Sequence, residues 1–191
     1  MFDDLITSKS RVKLLNVFLS VPSEMYHVRE LVRRTNDEIN AVRRELQLLE
    51  KKGILIKEPR ANRVYYSLSK NYPFYFDLLQ MGIKTIGLGY EILKNRAKLG
   101  RIKYTMFSGR FAKRVKKESD EVDLLIVGTI VLPELALLVR NEEKRLGTEI
   151  NYTAMSDEEF EFRKKKRDPF IYSILVKSRV MLIGDEESMI S

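Results

Sequence analysis

The chain has 191 residues, 44% of them hydrophobic and 32% charged, with a formal net charge of +8. That apolar share fits one or two packed cores and excludes a disordered chain. The absence of cysteine excludes disulfide scaffolds, cysteine zinc sites, iron–sulfur clusters and thiol catalysis, and the single histidine, His27, argues against a Ser-His-Asp triad or a histidine metal centre.

No apolar run reaches the roughly 18–20 residues of a membrane span, and the opening MFDDLITSKSR lacks the pattern of a signal peptide, so a soluble, cytoplasmic protein is expected. Charge is uneven along the chain. Residues 1–70 carry 14 Lys and Arg against 9 Asp and Glu, residues 71–120 carry 11 against 4, and residues 121–191 carry 10 against 14. The basic first 120 residues suit a polyanionic partner, or else form a solvated basic surface.

In chain order, Thr7 and Ser8 offer capping hydroxyls before an apolar stripe of Val12, Leu15 and Leu19, which predicts a helix over residues 8–20, ended before Pro22. A short helix is expected over 27–34, with His27 at its start. After the polar turn 35–38, Ile39, Val42, Leu46 and Leu49 are spaced 3, 4 and 3, so a third helix runs over 39–52, with Gly53 at its left-handed cap. The other face of that helix carries Asn40, Arg43, Arg44, Gln47 and Lys51. Two alternating segments, 54–57 and 64–68, form a hairpin around Arg60-Ala61-Asn62-Arg63.

The stretch VRELVRRTNDEINAVRRELQLLEKKGIL and the hairpin IKEPRANRVYYSLSK resemble the arsenic-repressor-like winged helix-turn-helix regulators over residues 8–70. The resemblance implies double-stranded DNA as partner. A helix with one buried stripe presents its opposite face to a major groove about 12 Å wide. Asn40, Arg43, Arg44 and Gln47 are then the base-edge candidates, with Lys51 on the same face. Lys9, Arg11, Arg29, Arg60 and Arg63, with Asn62 in the turn, are backbone-contact candidates. The competing reading pairs Arg43, Arg44 and Lys51 with Glu45 and Glu50 as an ordinary charged surface.

Residues 72–100 read as a helical linker in two helices, 73–84 and 89–99, available for a homodimer or merely bridging two domains. From residue 101 strands and helices alternate. Strands are expected at 102–107, 122–127, 149–155 and 180–183, and helices at 110–117, 133–146, after Ser156, and at 169–176. The overall class is therefore α+β: a winged helix over 1–71, a linker, and a second domain over 101–191.

Ser108-Gly109, followed by Glu121-Val122-Asp123, resembles the nucleotidyltransferase signature, and the run from Gly147 to Glu187 resembles the back half of minimal nucleotidyltransferases. The resemblance implies a triphosphate held by Ser108 and Gly109 and magnesium held by Glu121 and Asp123. This chain departs from the pattern. The Gly-Ser order is inverted, bulky basic residues follow, Glu121 (or Asp120, through a bulge) stands for the first Asp, and the third carboxylate falls at Asn151, with Glu149 as substitute. These departures point to a non-catalytic domain without cofactor. The alternative is an active, antitoxin-like enzyme using Glu121, Asp123 and Glu149, and a third possibility is a protein scaffold. The basic runs 113–117 and 163–167 read as a solvated helix face or DNA contact, and as a cluster paired with acidic 157–161, respectively.

Overall fold

The computed structural model describes residues 6–115 and 121–191. It is an α+β chain in two compact units, residues 1–86 and 87–191.

In the first unit, α1 (Lys9–Ser20) is capped by Ser8, whose hydroxyl accepts the Arg11 N–H. A two-residue strand β1 (Tyr26–His27) leads into α2 (Val28–Thr35). Asn36 ends α2 in the left-handed conformation (φ 53°), and α3 (Ile39–Lys51) follows, closed by Gly53 at φ 74°. Strands β2 (Leu55–Arg60) and β3 (Arg63–Leu68) form the expected hairpin, in register from Leu55↔Leu68 to Arg60↔Arg63. Strand β1 pairs with the other side of β3, giving the sheet order β1-β3-β2. Helix α4 (Tyr75–Thr85) closes the unit.

The apolar stripes meet where their spacing places them. Val12, Leu15 and Phe18 of α1, Leu31 of α2, and Val42, Leu46 and Leu49 of α3 share one core with Leu55, Leu68, Tyr75 and Leu79. Each such burial is worth about 1.5–3 kcal/mol against exposure. Packed this way, α3 has one side fixed inward and the other left outward.

The second unit begins with α5 (Gly87–Lys94) and α6 (Arg96–Leu99), where a single helix over 89–99 is expected. The break falls at Asn95, whose side-chain amide donates to the Glu91 carbonyl and side chain. Four strands follow: β4 (Gly100–Ser108), β5 (Leu124–Ile130), β6 (Tyr152–Met155) and β7 (Arg179–Ile183). Their order is β6-β5-β4-β7, with β5 and β6 parallel and the other pairs antiparallel. The first helix after β4, α7 (Gly109–Ala112), is one turn rather than the expected 110–117, because Arg114 adopts φ 52°; Lys116 and Lys117 lie outside the described residues.

Helix α8 (Leu132–Leu146) carries Pro133 in its first turn. The expected strand 149–155 starts only at Tyr152, because the Ile150 N–H is accepted by Glu143 of α8 and not by a neighbouring strand. Helices α9 (Asp157–Lys165), α10 (Pro169–Leu175) and α11 (Glu186–Ile190) bring Phe160, Ile171, Ile174 and Met189 onto Tyr104, Met106, Leu125, Val127 and Met155 of the sheet. Of the 163–167 run, Arg163 meets Glu159 at 2.8 Å and Lys164 meets Glu161 at 3.4 Å, while no ion pair among the described residues involves Lys165, Lys166 or Arg167.

Beside α5, Glu142 of α8 is buried between two arginines. Arg145 bonds it at 2.7 Å and Arg114 at 3.2 Å. Burial alone would raise the Glu142 pKa. The Arg145 hydrogen bonds, the charges of Arg145 and Arg114, and the Leu88 N–H hold it below the ordinary glutamate range instead. No described helix is long and apolar enough to cross a membrane.

Candidate nucleic-acid interface and the acidic turn

Two carboxylates decide how α3 presents its outer side. Glu45 occupies the apolar stripe, three residues after Val42 and four before Leu49, and is buried. Its Oε1 accepts the Ser8 hydroxyl at 2.7 Å and its Oε2 accepts Arg11 Nε at 2.8 Å. Burial pushes the Glu45 pKa up, but the bonds from Ser8 and Arg11 outweigh it and leave it lowered. Glu50 pairs with Lys57 of β2 at 2.8 Å. Asp37, in the turn between α2 and α3, accepts Lys13 of α1, which lowers its pKa. The turn and the helix start are thus tied to α1.

Asn40, Arg43, Arg44, Gln47 and Lys51 are all exposed along α3. Neither Glu45 nor Glu50 forms an ion pair with Arg43, Arg44 or Lys51, and these three cations enter no ion pair among the described residues. Lys9, Arg29, Asn62 and Arg63 are exposed too. Arg11 is half-buried on Glu45, and Arg60 lies on Glu58 at 2.8 Å with its guanidinium 5.9 Å from the Tyr65 ring centre.

The exposed set converges in part on one cleft of about 270 Å³, lined by His27, Val28, Arg29, Arg43, Asn62, Arg63 and Val64. It brings together the start of α2, the outer side of α3 and the hairpin turn. His27 is the N-cap of α2: its Nδ1 accepts the Glu30 N–H at 3.3 Å, and its ring meets Tyr65 edge-on at 5.7 Å. Sequence reasoning placed His27 only at a helix start and had no signal for its place in the cleft. For Glu45 a signal existed, namely its position within the apolar stripe.

In the second unit, Glu121 and Asp123 are both buried just before β5. Glu121 Oε1 lies 3.1 Å from Lys177 Nζ and its Oε2 lies 3.2 Å from Arg110 Nε. Asp123 Oδ2 accepts the Asn151 N–H at 2.9 Å. Glu149 is exposed in the segment before β6, and Asp120 lies outside the described residues. Among the described residues no three acidic, histidine or cysteine side chains gather for a metal.

The turn is closed as well. Ser108 caps α7 through the Phe111 N–H, and the Gly109 N–H donates to the Ser178 carbonyl at 2.7 Å. A Cβ at Gly109 would lie 2.2 Å from Ser178 Oγ. The opening lined by Ser108 and Glu121 is small, about 30 Å³. The described residues fit a magnesium triphosphate poorly: the Glu121 charge is met by Arg110 and Lys177, and the Gly109 N–H is already bonded.

No protein-family model and no curated protein matches the chain. Among solved structures, reduced HlyU from Vibrio cholerae N16961 is similar over 39% of this chain and 77% of its own length, at 24% identity and a TM-score of 0.32, a likeness too slight to establish a fold or a role.

Proposed function

We propose that the chain is a sequence-specific DNA-binding transcriptional regulator whose first unit is a winged helix-turn-helix. The observation that carries this reading is the outer side of α3, where Asn40, Arg43, Arg44 and Gln47 stand exposed while both nearby glutamates are engaged elsewhere. A cationic surface that makes no ion pair of its own, on a helix fixed by a buried stripe, suits a major groove. Arg44 bridges guanine O6 and N7 in this reading, and Asn40 or Gln47 bridges adenine N6 and N7. The β2–β3 hairpin is the wing, carrying Arg60, Asn62 and Arg63 to the backbone.

The second unit is a nucleotidyltransferase-like domain without turnover, serving effector sensing or partner docking. The two cations on Glu121 and the closed Ser108-Gly109 turn support this assignment. The working form is a homodimer, which the exposed Phe74 at the start of α4 supports, since palindromic sites match two-fold proteins.

Selection from a random duplex library with the purified chain tests the reading, with enrichment of one palindrome as the expected result. On the enriched site Arg44→Ala costs about 1–3 kcal/mol and relaxes one base position. A library that stays random, or an Arg44→Ala variant that binds the site like the parent, overturns it.

A further inference from the structure

We propose that Arg29, Arg43 and Arg63 act together as a clamp for a single backbone phosphate of the bound duplex, so that Arg43 grips the backbone and leaves base reading to its neighbours on α3. This rests on the DNA-binding reading and assigns a ligand to the cleft within it.

The three arginines come from separate parts of the chain: the first turn of α2, the middle of α3, and the hairpin turn. All three line one concavity of about 270 Å³. Three cationic side chains lining one concavity give it a positive potential that favours an anion there. None is supplied from within. No ion pair among the described residues involves Arg29, Arg43 or Arg63, and the nearest acidic side chains on the same elements serve other cations: Glu30 holds Arg34, Glu45 holds Arg11, Glu50 holds Lys57, and Glu58 holds Arg60.

Phosphate is the anion whose chemistry fits. Guanidinium forks pair with tetrahedral oxyanions through two parallel N–H bonds. The cleft, at about 270 Å³ and open to solvent, leaves room for a phosphodiester group and its residual hydration. Asn62 adds an amide donor on the hairpin side.

Geometry also separates Arg43 from Arg44. Successive residues on an α-helix are turned by about 100°. Arg43 lines the cleft together with the hairpin turn and the start of α2, whereas Arg44 does not line it. A base edge is reached by a side chain standing on the convex face of the helix, and a protruding phosphate by one recessed in a cleft.

The test uses the full chain, the selected duplex and a scrambled duplex of equal length, with affinity measured by fluorescence anisotropy over a salt series. The triple variant Arg29→Ala, Arg43→Ala, Arg63→Ala is expected to flatten the slope of log affinity against log salt by about 0.9, the value for one phosphate. It loses affinity by the same factor on both duplexes. Arg44→Ala keeps the parental slope and loses the preference for the selected duplex.

A triple variant with Gln at the three positions gives the same slope if alanine disturbs the fold. A slope flattened by about 2.7 means three separate phosphates and overturns the clamp, as does an unchanged slope. So does an Arg43→Ala variant that alters preference at one base position. Absence of binding to any duplex overturns the DNA-binding reading and the clamp together, whereas each of the other failures sinks the clamp alone.

Discussion

In the first unit Arg29, Arg43 and Arg63 share a cleft without a carboxylate; in the second, Glu121 holds Arg110 and Lys177, and Glu142 holds Arg114 and Arg145. Net charge does not distinguish these neighbourhoods, because both are rich in Arg and Lys. The difference lies in where the carboxylates point. On α3 they face inward or toward β2, so the outward cations are left for an external anion. Around β5 and α8 they are buried among cations, so the charge is balanced within the unit. A cation-rich sequence becomes a binding surface only when its own acids are engaged elsewhere.

The largest effect expected from this contrast comes from opening the balanced side. Glu142→Gln leaves the partly buried Arg114 without its counter-charge and replaces one of the two oxygens that accept from Arg145 with an amide donor. Loss of one member of a buried pair costs about 3 kcal/mol, which urea unfolding of the second unit measures. The pH dependence has a definite sign. Because the folded Glu142 pKa is depressed, its stabilisation is present above the ordinary glutamate range near pH 4.3 and is lost as pH falls through the depressed value. The parent therefore loses stability in acid more steeply than the Gln variant. Parallel acid limbs for the two proteins would mean that Glu142 is not the balancing charge.

Glu121 sharpens the same contrast at smaller amplitude. Its partners are partly exposed, Arg110 at 35% and Lys177 at 50%, so solvent screening limits the cost of Glu121→Gln to about 1 kcal/mol. Since its oxygens already meet cations, magnesium with a nucleoside triphosphate is expected to leave the melting temperature of the parent unchanged. A ligand at a hundred times its Kd would add about 2.7 kcal/mol. A rise of that size that is abolished by Asp123→Asn would show that the second unit binds the magnesium triphosphate through this turn after all.

Much of the fold could be read from spacing alone. The Val42, Leu46, Leu49 stripe, the left-handed Gly53 and the Ser156 cap lie where their local chemistry puts them. Two residues of β1 are too few to show alternation, and they form a strand only because β3 is there to pair with Tyr26 and His27. The outer side of α3 was legible because it is the complement of a stripe. The pairing of Arg11 with Glu45 was not: the partners stand 34 residues apart, and a list of cations does not say which acid each will meet. The cleft was illegible for the same reason, since Arg29, Arg43 and Arg63 become neighbours only after α2, α3 and the hairpin have packed. The acidic turn was half legible. The Glu121–Asp123 spacing marked the two carboxylates as a pair, but neither their burial nor Lys177 arriving from 56 positions later to meet Glu121 could be read from it.

The smallest expected effect is the most direct measure of imbalance, because its sign is opposite to that of Glu142→Gln. If the cleft of the first unit is an uncompensated cationic site, removing one of its charges in the absence of DNA relieves repulsion. Arg43→Gln or Arg63→Gln is then expected to raise stability slightly, by less than about 0.5 kcal/mol, in keeping with surface substitutions generally. The gain belongs to low ionic strength. Exposed charges are screened beyond about 8 Å at physiological salt, so the stability of parent and variant converges as salt is added, with the parent gaining more. Thermal melts of both proteins across a salt series measure this. A variant that is less stable than the parent at low salt would show that the arginines are already balanced by the protein's own groups, and the distinction between the two units would fail at its root.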